Sequence, residues 1–195
     1  MIVSAEEVAR SLRGTVALLN RRVDGLNAFD VSEAGFWRSF GAIWLTLPAF
    51  VVCLSFERYR LGLVSGGSLV DRPFLLALVA CGFVAAFLAF PLAMIGLARR
   101  FGLSARYAPF VVVTNWIIAV ALTMLALPQA LLMLGWATPA LAVLYTLAFG
   151  VIVLRLEWLA AKLTLGVSGR FAGAIVALGI ALHLIIAGTV DALAG

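Results

Sequence analysis

Several stretches of this chain run longer than a bilayer-crossing segment without a single charge, and residues 74–98 form one of them. A bilayer core roughly 30 Å thick is crossed by about 20 apolar residues in a helix. Inside lipid every backbone N–H and C=O must be paired within the protein, so runs of this length without strand-like alternation specify membrane helices. The chain is 65% hydrophobic and 12% charged, against about 45–50% apolar and about 25% charged in a soluble domain. The expected fold class is therefore all-α, a polytopic transmembrane helical bundle. At 195 residues it is expected to form one compact unit.

Five spans are expected, at about 36–56, 74–98, 108–134, 138–156 and 171–191. Residues 1–30 read as a cytoplasmic amphipathic helix and 31–195 as the five-helix transmembrane domain. Within 4–27, Ser4 and Glu7 have capping-box spacing, and Val8, Leu12, Val16, Leu19, Val23 and Leu26 follow three or four residues apart. These six form a single stripe at ~100° per residue, with Arg10, Arg13, Arg21 and Asp24 elsewhere. The stripe suits docking on lipid or on the bundle, with a partner helix as the alternative. The acidic residues Glu6, Glu7 and Asp24, and the lack of a short apolar core with a cleavage site, argue against a signal peptide here. Asp30 and Glu33 have the spacing of a second capping box, and Phe36, Trp37 and Arg38 suit the headgroup layer.

Orientation follows from the basic residues. Eleven fall on the amino-terminal side of the spans (Arg10, Arg13, Arg21, Arg22, Arg38, Arg99, Arg100, Arg106, Arg155, Lys162, Arg170) and three on the other (Arg58, Arg60, Arg72). Positive charge marks the cytoplasmic side. The amino terminus and the 99–107 and 157–170 loops are expected in the cytoplasm, and the carboxy terminus outside. The formal net charge of +5 does not suggest nucleic acid, because the basic residues are scattered between apolar runs rather than gathered in a groove or binding motif.

Three prolines, Pro48, Pro91 and Pro128, sit inside successive spans, where each removes a backbone donor and favours a bend that can shape a cavity. In the fifth span Gly169, Gly173, Ala177 and Ala181 recur every four residues, allowing close helix approach within the bundle or between copies. Cys53 and Cys81 occupy separate spans and read as buried thiols.

Catalytic patterns are absent from the sequence. It contains no HExxH, nucleophile elbow, phosphate-binding glycine loop or cysteine metal cluster, and Ser55, Ser65, Ser68 and Ser168 have no motif around them. No enzyme activity, metal or cofactor is expected. His183 lies midway along the fifth span, as a proton relay or as a neutral imidazole bonded to a neighbour. Asn115 and Gln129 in the third span read as polar glue between helices. At the end of the fourth span the helix is expected to reach the cytoplasmic interface near Arg155 and to continue along or beyond it, with Arg155, Trp158 and Lys162 suited to that interface and to acidic headgroups. Glu157 diverges from Arg155, since side chains two apart on a helix point away from each other, so any ion-pair partner must come from another element.

The five spans, the F-W-R-S-F lead-in at 36–40 and the segment K-L-T-L-G-V-S-G-R at 162–170 together resemble the Yip1 family over about residues 30–192. The high Leu, Ala and Gly content is similar to its bacterial members. Eukaryotic relatives are associated with Rab GTPases, vesicle trafficking and membrane shaping, and a bacterium offers no Rab partner. The resemblance implies a non-enzymatic integral membrane protein of the bacterial inner membrane, with a scaffold, membrane-organising or assembly role and no catalytic residues. Its expected partners are membrane lipids, acidic headgroups among them, and a membrane-protein partner or a second copy. The alternatives are a small transporter or channel with a pathway between proline-bent helices, and an accessory subunit of a larger membrane complex. A continuous polar cavity reaching Asn115, Gln129 or His183 would favour the transporter.

Overall fold

The computed structural model describes residues 4–20, 22–65 and 73–194. The sequence readings at Arg21, Ser68 and Arg72 lie outside these residues, and those at the side chains of Arg58, Arg60 and Ser65 lie outside the described side chains. Among the described residues the secondary structure is entirely helical: α1 (Ala5–Leu19), a 3-10 segment (Val23–Ala28), α2 (Glu33–Ser39), α3 (Ala42–Ser65), α4 (Pro73–Arg100), α5 (Ser104–Met133), α6 (Pro139–Leu165) and α7 (Gly169–Ala194). Five stretches are long and apolar enough to cross a membrane, the first being Glu33–Phe56, which joins α2 to most of α3. The chain is an all-α bundle of the multi-pass membrane class.

The hub is α5. Of its span window 61% is buried, against 11–22% for the other four. It packs against α1, α2, α3, α4 and α6, while α7 lies between α4 and α6. Side chains around the outside are apolar, Trp44, Leu92, Leu147 and Val151 among them, as a lipid-facing surface requires. Burial of Trp116 and Phe110 against neighbouring helices therefore stabilises through close packing rather than removal from water, because lipid is as apolar as the core.

Three boundaries differ from the sequence reading. The amino-terminal helix ends at Leu19 rather than near residue 27, and a separate 3-10 segment folds back against it. Gly14 and Gly25 make that return possible: a Cβ on Gly25 would lie 2.8 Å from the Gly14 carbonyl oxygen, and one on Gly14 would lie 2.9 Å from that of Gly25. The helix start after residue 27 is capped by Ser32, whose hydroxyl accepts from the Gly35 amide at 3.1 Å, rather than by Asp30. Asp30 instead accepts from the Ser32 amide and from Arg38.

The third difference is the loop expected at 157–170: α6 continues past Arg155, as its exit pattern suggested, and runs to Leu165, so the loop shrinks to residues 166–168. Leu156, Ala160, Ala161 and Leu165 remain buried beyond Arg155, so one exposed charge does not end the packing face. Gly166 ends the helix in the left-handed conformation, at φ 65°, which glycine adopts without a side-chain penalty. Pro48, Pro91 and Pro128 sit inside α3, α4 and α5 as expected, and Pro109 adds a fourth in the first turns of α5.

Candidate functional site

The site has two parts, an ionic joint holding α1 and a cavity between α4, α5, α6 and α7. At the joint, Ser4 caps α1 by accepting from the Glu7 amide at 3.1 Å. The Glu7 side chain does not complete a capping box; it turns inward and accepts from Arg38 Nε at 2.8 Å. Arg38 Nη2 donates to Asp30, so one guanidinium ties α1 and the lead-in turn to α2. Arg38 was expected to reach for headgroups, but the two carboxylates hold it where it is only 29% exposed. The Ser32 hydroxyl and amide, and secondarily the charge of Arg38, hold the Asp30 carboxyl below its usual range.

The docked face of α1 is Glu7, Ser11, Gly14, Thr15 and Leu18. The apolar stripe read from the sequence is divided: Val8, Leu19 and Leu26 are partly buried and pack against the core, while Leu12, Val16 and Val23 are exposed. At 100° per residue the stripe lies roughly 115° around the helix from the docked face, and Glu6, Arg13 and Arg10 occupy the remaining flank. The docked face of α1 is thus largely polar, with Val8 and Leu19 packing at its edge and Leu12 and Val16 left exposed.

Residue by residue, the other sequence candidates separate. Asn115 is fully buried; its Nδ2 donates to Ser39 Oγ at 3.0 Å, and Ser39 Oγ donates to the Phe36 carbonyl at 2.7 Å. This chain fastens α2 to α5. Gln129 is partly buried, with Oε1 unbonded among the described residues. Trp158, expected at the headgroups, turns onto the α6–α7 hinge, where Nε1 donates to the Gly169 carbonyl at 2.8 Å. An indole N–H with a carbonyl in reach is better satisfied there than at a free surface. Lys162 Nζ lies 4.9 Å from the Trp158 ring centroid, and Arg155 is exposed. Of the α7 small-residue stripe only Gly169 packs within the bundle, where an added Cβ would lie 3.0 Å from the Trp158 ring. A Cβ on Gly173 would meet nothing, Ala177 and Ala181 are exposed, and Ala172 and Ile175 do the packing. Cys81 is exposed on α4 rather than buried.

The cavity has a volume of about 500 Å³ and is partly open to the outside of the bundle. It follows α5 from Phe110 to Leu125, a length of roughly 22 Å at 1.5 Å per residue. Phe83, Phe87 and Phe90 line it from α4, Phe110 and Ile117 from α5, Gly150 and Val153 from α6, and Gly179 from α7. The polar groups on its wall are Thr114, Glu157 and His183, and no lysine or arginine lines it. Neither Asn115 nor Gln129 reaches it, nor do Pro48, Pro91 and Pro128.

Glu157 stands ~12 Å along α6 from Leu165, and Thr114 ~15 Å along α5 from Ser104, so the two share a level. His183 stands deeper, ~21 Å along α7 from Gly169. Glu157 and His183 make no side-chain hydrogen bond or ion pair among the described residues, and Thr114 Oγ1 is buried without a partner. Searches of family models, curated proteins and solved structures return no match for this chain. Sequence reasoning singled out Glu157 and His183 but missed Thr114 and the phenylalanines. The spacing of Phe83, Phe87 and Phe90, four and then three apart, was the available signal that α4 presents an aromatic stripe.

Proposed function

We propose that this is a non-enzymatic membrane-organising protein that holds a bilayer amphiphile in the α4–α7 cavity. The observation carrying this reading is the cavity itself: long, apolar, aromatic-lined and open to the bundle exterior, with polar groups confined to a few points on its wall. A polar conduit would need a continuous hydrophilic lining; of the three residues expected to mark one, His183 lines the cavity but Asn115 and Gln129 lie off it, and the wall between Glu157 and His183 is apolar. That weighs against the transporter alternative. The accessory-subunit alternative draws on the exposed small-residue face of α7. Kinship with the Yip1 family remains part of the proposal on the sequence features given above, and a lipid-holding bundle suits its membrane-organising character.

The proposed setting is the bacterial inner membrane, with α1 and the basic face in the cytoplasm and the far end of α7 outside. The exposed Leu12 and Val16 of α1 would enter lipid while Arg13 meets acidic headgroups. Reporter fusions after Ser104 and Gly195 should read inside and outside; an inside signal at Gly195 rejects the orientation.

The lipid reading is tested by purifying the full chain in mild detergent and extracting what it retains. A stoichiometric amphiphile is expected with the native protein and should be lost in Gly150→Trp, because a Cβ at Gly150 enters open space and the indole would fill the cavity. Equal retention by both proteins rejects the reading.

A further inference from the structure

We infer that the amphiphile held between α4 and α7 carries a cationic amine head, with Glu157 as its counter-ion and Thr114 as a hydrogen-bond acceptor beside it. The inference rests on the cavity reading above and adds the chemistry of the head.

Its basis is a charge imbalance. A carboxylate inside a membrane bundle is costly unless something neutralises or bonds it. Glu157 lines a cavity with no lysine or arginine on its wall, and it makes no hydrogen bond or ion pair among the described residues. Basic residues on α6 and at the α6–α7 hinge are engaged or directed elsewhere. Arg155 is exposed and diverges from Glu157 by about 200° of helix rotation. Lys162 is stacked on Trp158. Arg106 packs against Gly166 at the hinge, where its Nη1 would collide with any added Cβ.

A second observation is independent of Glu157. Thr114 lines the same cavity at the same level, and its hydroxyl is buried without a partner, although a membrane threonine can readily bond its own preceding turn. An ammonium has three donors and no acceptor, so a carboxylate and a hydroxyl oxygen together match it. Phe90 and Phe110, with ring centroids 5.9 Å apart in an edge arrangement, stand on the same wall. Aromatic faces attract cations, so rings that would serve any tail also favour a cationic head. Beyond this level the wall toward Phe83 and Leu125 is apolar apart from His183, which suits one extended hydrocarbon arm. An anionic head would meet Glu157 with no cation to offset it.

The test uses the full chain in lipid nanodiscs, with empty nanodiscs giving the membrane background. Three radiolabelled probes of equal chain length are compared by equilibrium dialysis: dodecylammonium, dodecanol and dodecanoate. Dodecylammonium should bind at least tenfold more tightly than dodecanol, as a hydrogen bond to a charged group is worth on the order of ten- to a hundredfold. Dodecanoate should bind most weakly. Glu157→Gln should bring dodecylammonium to the dodecanol level and leave dodecanol unchanged, while Glu157→Asp should keep part of the preference. Gly150→Trp should weaken all three. A cation preference that survives Glu157→Gln, or tightest binding by dodecanoate, overturns the assignment of the head while dodecanol binding sensitive to Gly150→Trp upholds the cavity. If no probe shows binding that Gly150→Trp removes, the cavity reading fails and this inference with it.

Discussion

Replacing Arg38 by glutamine should release α1 from the bundle without unfolding the spans. Arg38 makes two charge-assisted contacts, to Glu7 at 2.8 Å and to Asp30, and the Glu7 side chain is only 8% exposed. A hydrogen bond to a charged group contributes about 1.5–3 kcal/mol. The Asp30 pair is more open, with both partners more than a quarter exposed, and falls toward the ~0–1 kcal/mol of surface pairs. Loss of the guanidinium also leaves the Glu7 carboxylate buried without a counter-charge, which adds to the penalty rather than offsetting it. Together these destabilise the docked state by about 2–3 kcal/mol, which raises the undocked population roughly 30- to 150-fold. Hydrogen exchange in nanodiscs reads this directly. Amides of α1 from Val8 to Leu19 should exchange faster by that factor, while those of α5 from Phe110 to Ile117 hold. The double variant Glu7→Gln, Arg38→Gln should recover part of the loss, since no buried charge is then left alone. Unchanged α1 exchange in Arg38→Gln would refute the reasoning. Equal acceleration in α1 and α5 would refute it as well, because it would mean that the joint is part of the global fold.

Ser39→Ala removes the acceptor for Asn115 Nδ2 and should destabilise the bundle by about 1–2 kcal/mol, read as a lower thermal midpoint in detergent. An unchanged midpoint would mean that this buried link contributes nothing. Trp158→Phe keeps the ring but loses the bond to the Gly169 carbonyl, at a cost of about 1 kcal/mol. Proteolysis at residues 166–168 should accelerate, and an unaltered cleavage rate would count against a hinge role. Asp30 provides a pH signature. Because its folded pKa lies below the ordinary 3.8, its contribution is complete above that value and is lost as pH falls through the lower, folded one. Thermal stability of wild type minus that of Asp30→Asn should therefore be flat from pH 7 to about 5 and shrink below about 4; a difference that grows on acidification would contradict the sign.

Much of the bundle was legible because membrane spans are specified by length and lack of charge, properties that residues 74–98 carry without reference to any neighbour. The end of α6 was not, because Arg155 looks the same whether it leaves the membrane or merely faces outward while Leu156 and Ala160 keep packing. The docked face of α1 was legible only in part. The stripe suited either lipid or the bundle; Val8 and Leu19 pack against the core, Leu12 and Val16 stay exposed, and Glu7, Ser11 and Thr15, which the stripe does not include, form the docked face. Helical geometry did separate Glu157 from Arg155. What it could not give was the destination, since the cavity wall is assembled from four helices and Thr114 and the α4 phenylalanines become neighbours of Glu157 only in the folded bundle.

The claim on which the functional account depends is that a bilayer amphiphile occupies the α4–α7 cavity. The most direct measurement is photo-crosslinking in native membranes with a twelve-carbon alkyl alcohol bearing a diazirine, followed by peptide mapping. The account requires labelling concentrated at cavity-lining positions such as Phe87 and Val176, suppressed by Gly150→Trp. Labelling confined to outward positions such as Leu92 and Leu147, and indifferent to Gly150→Trp, would contradict it.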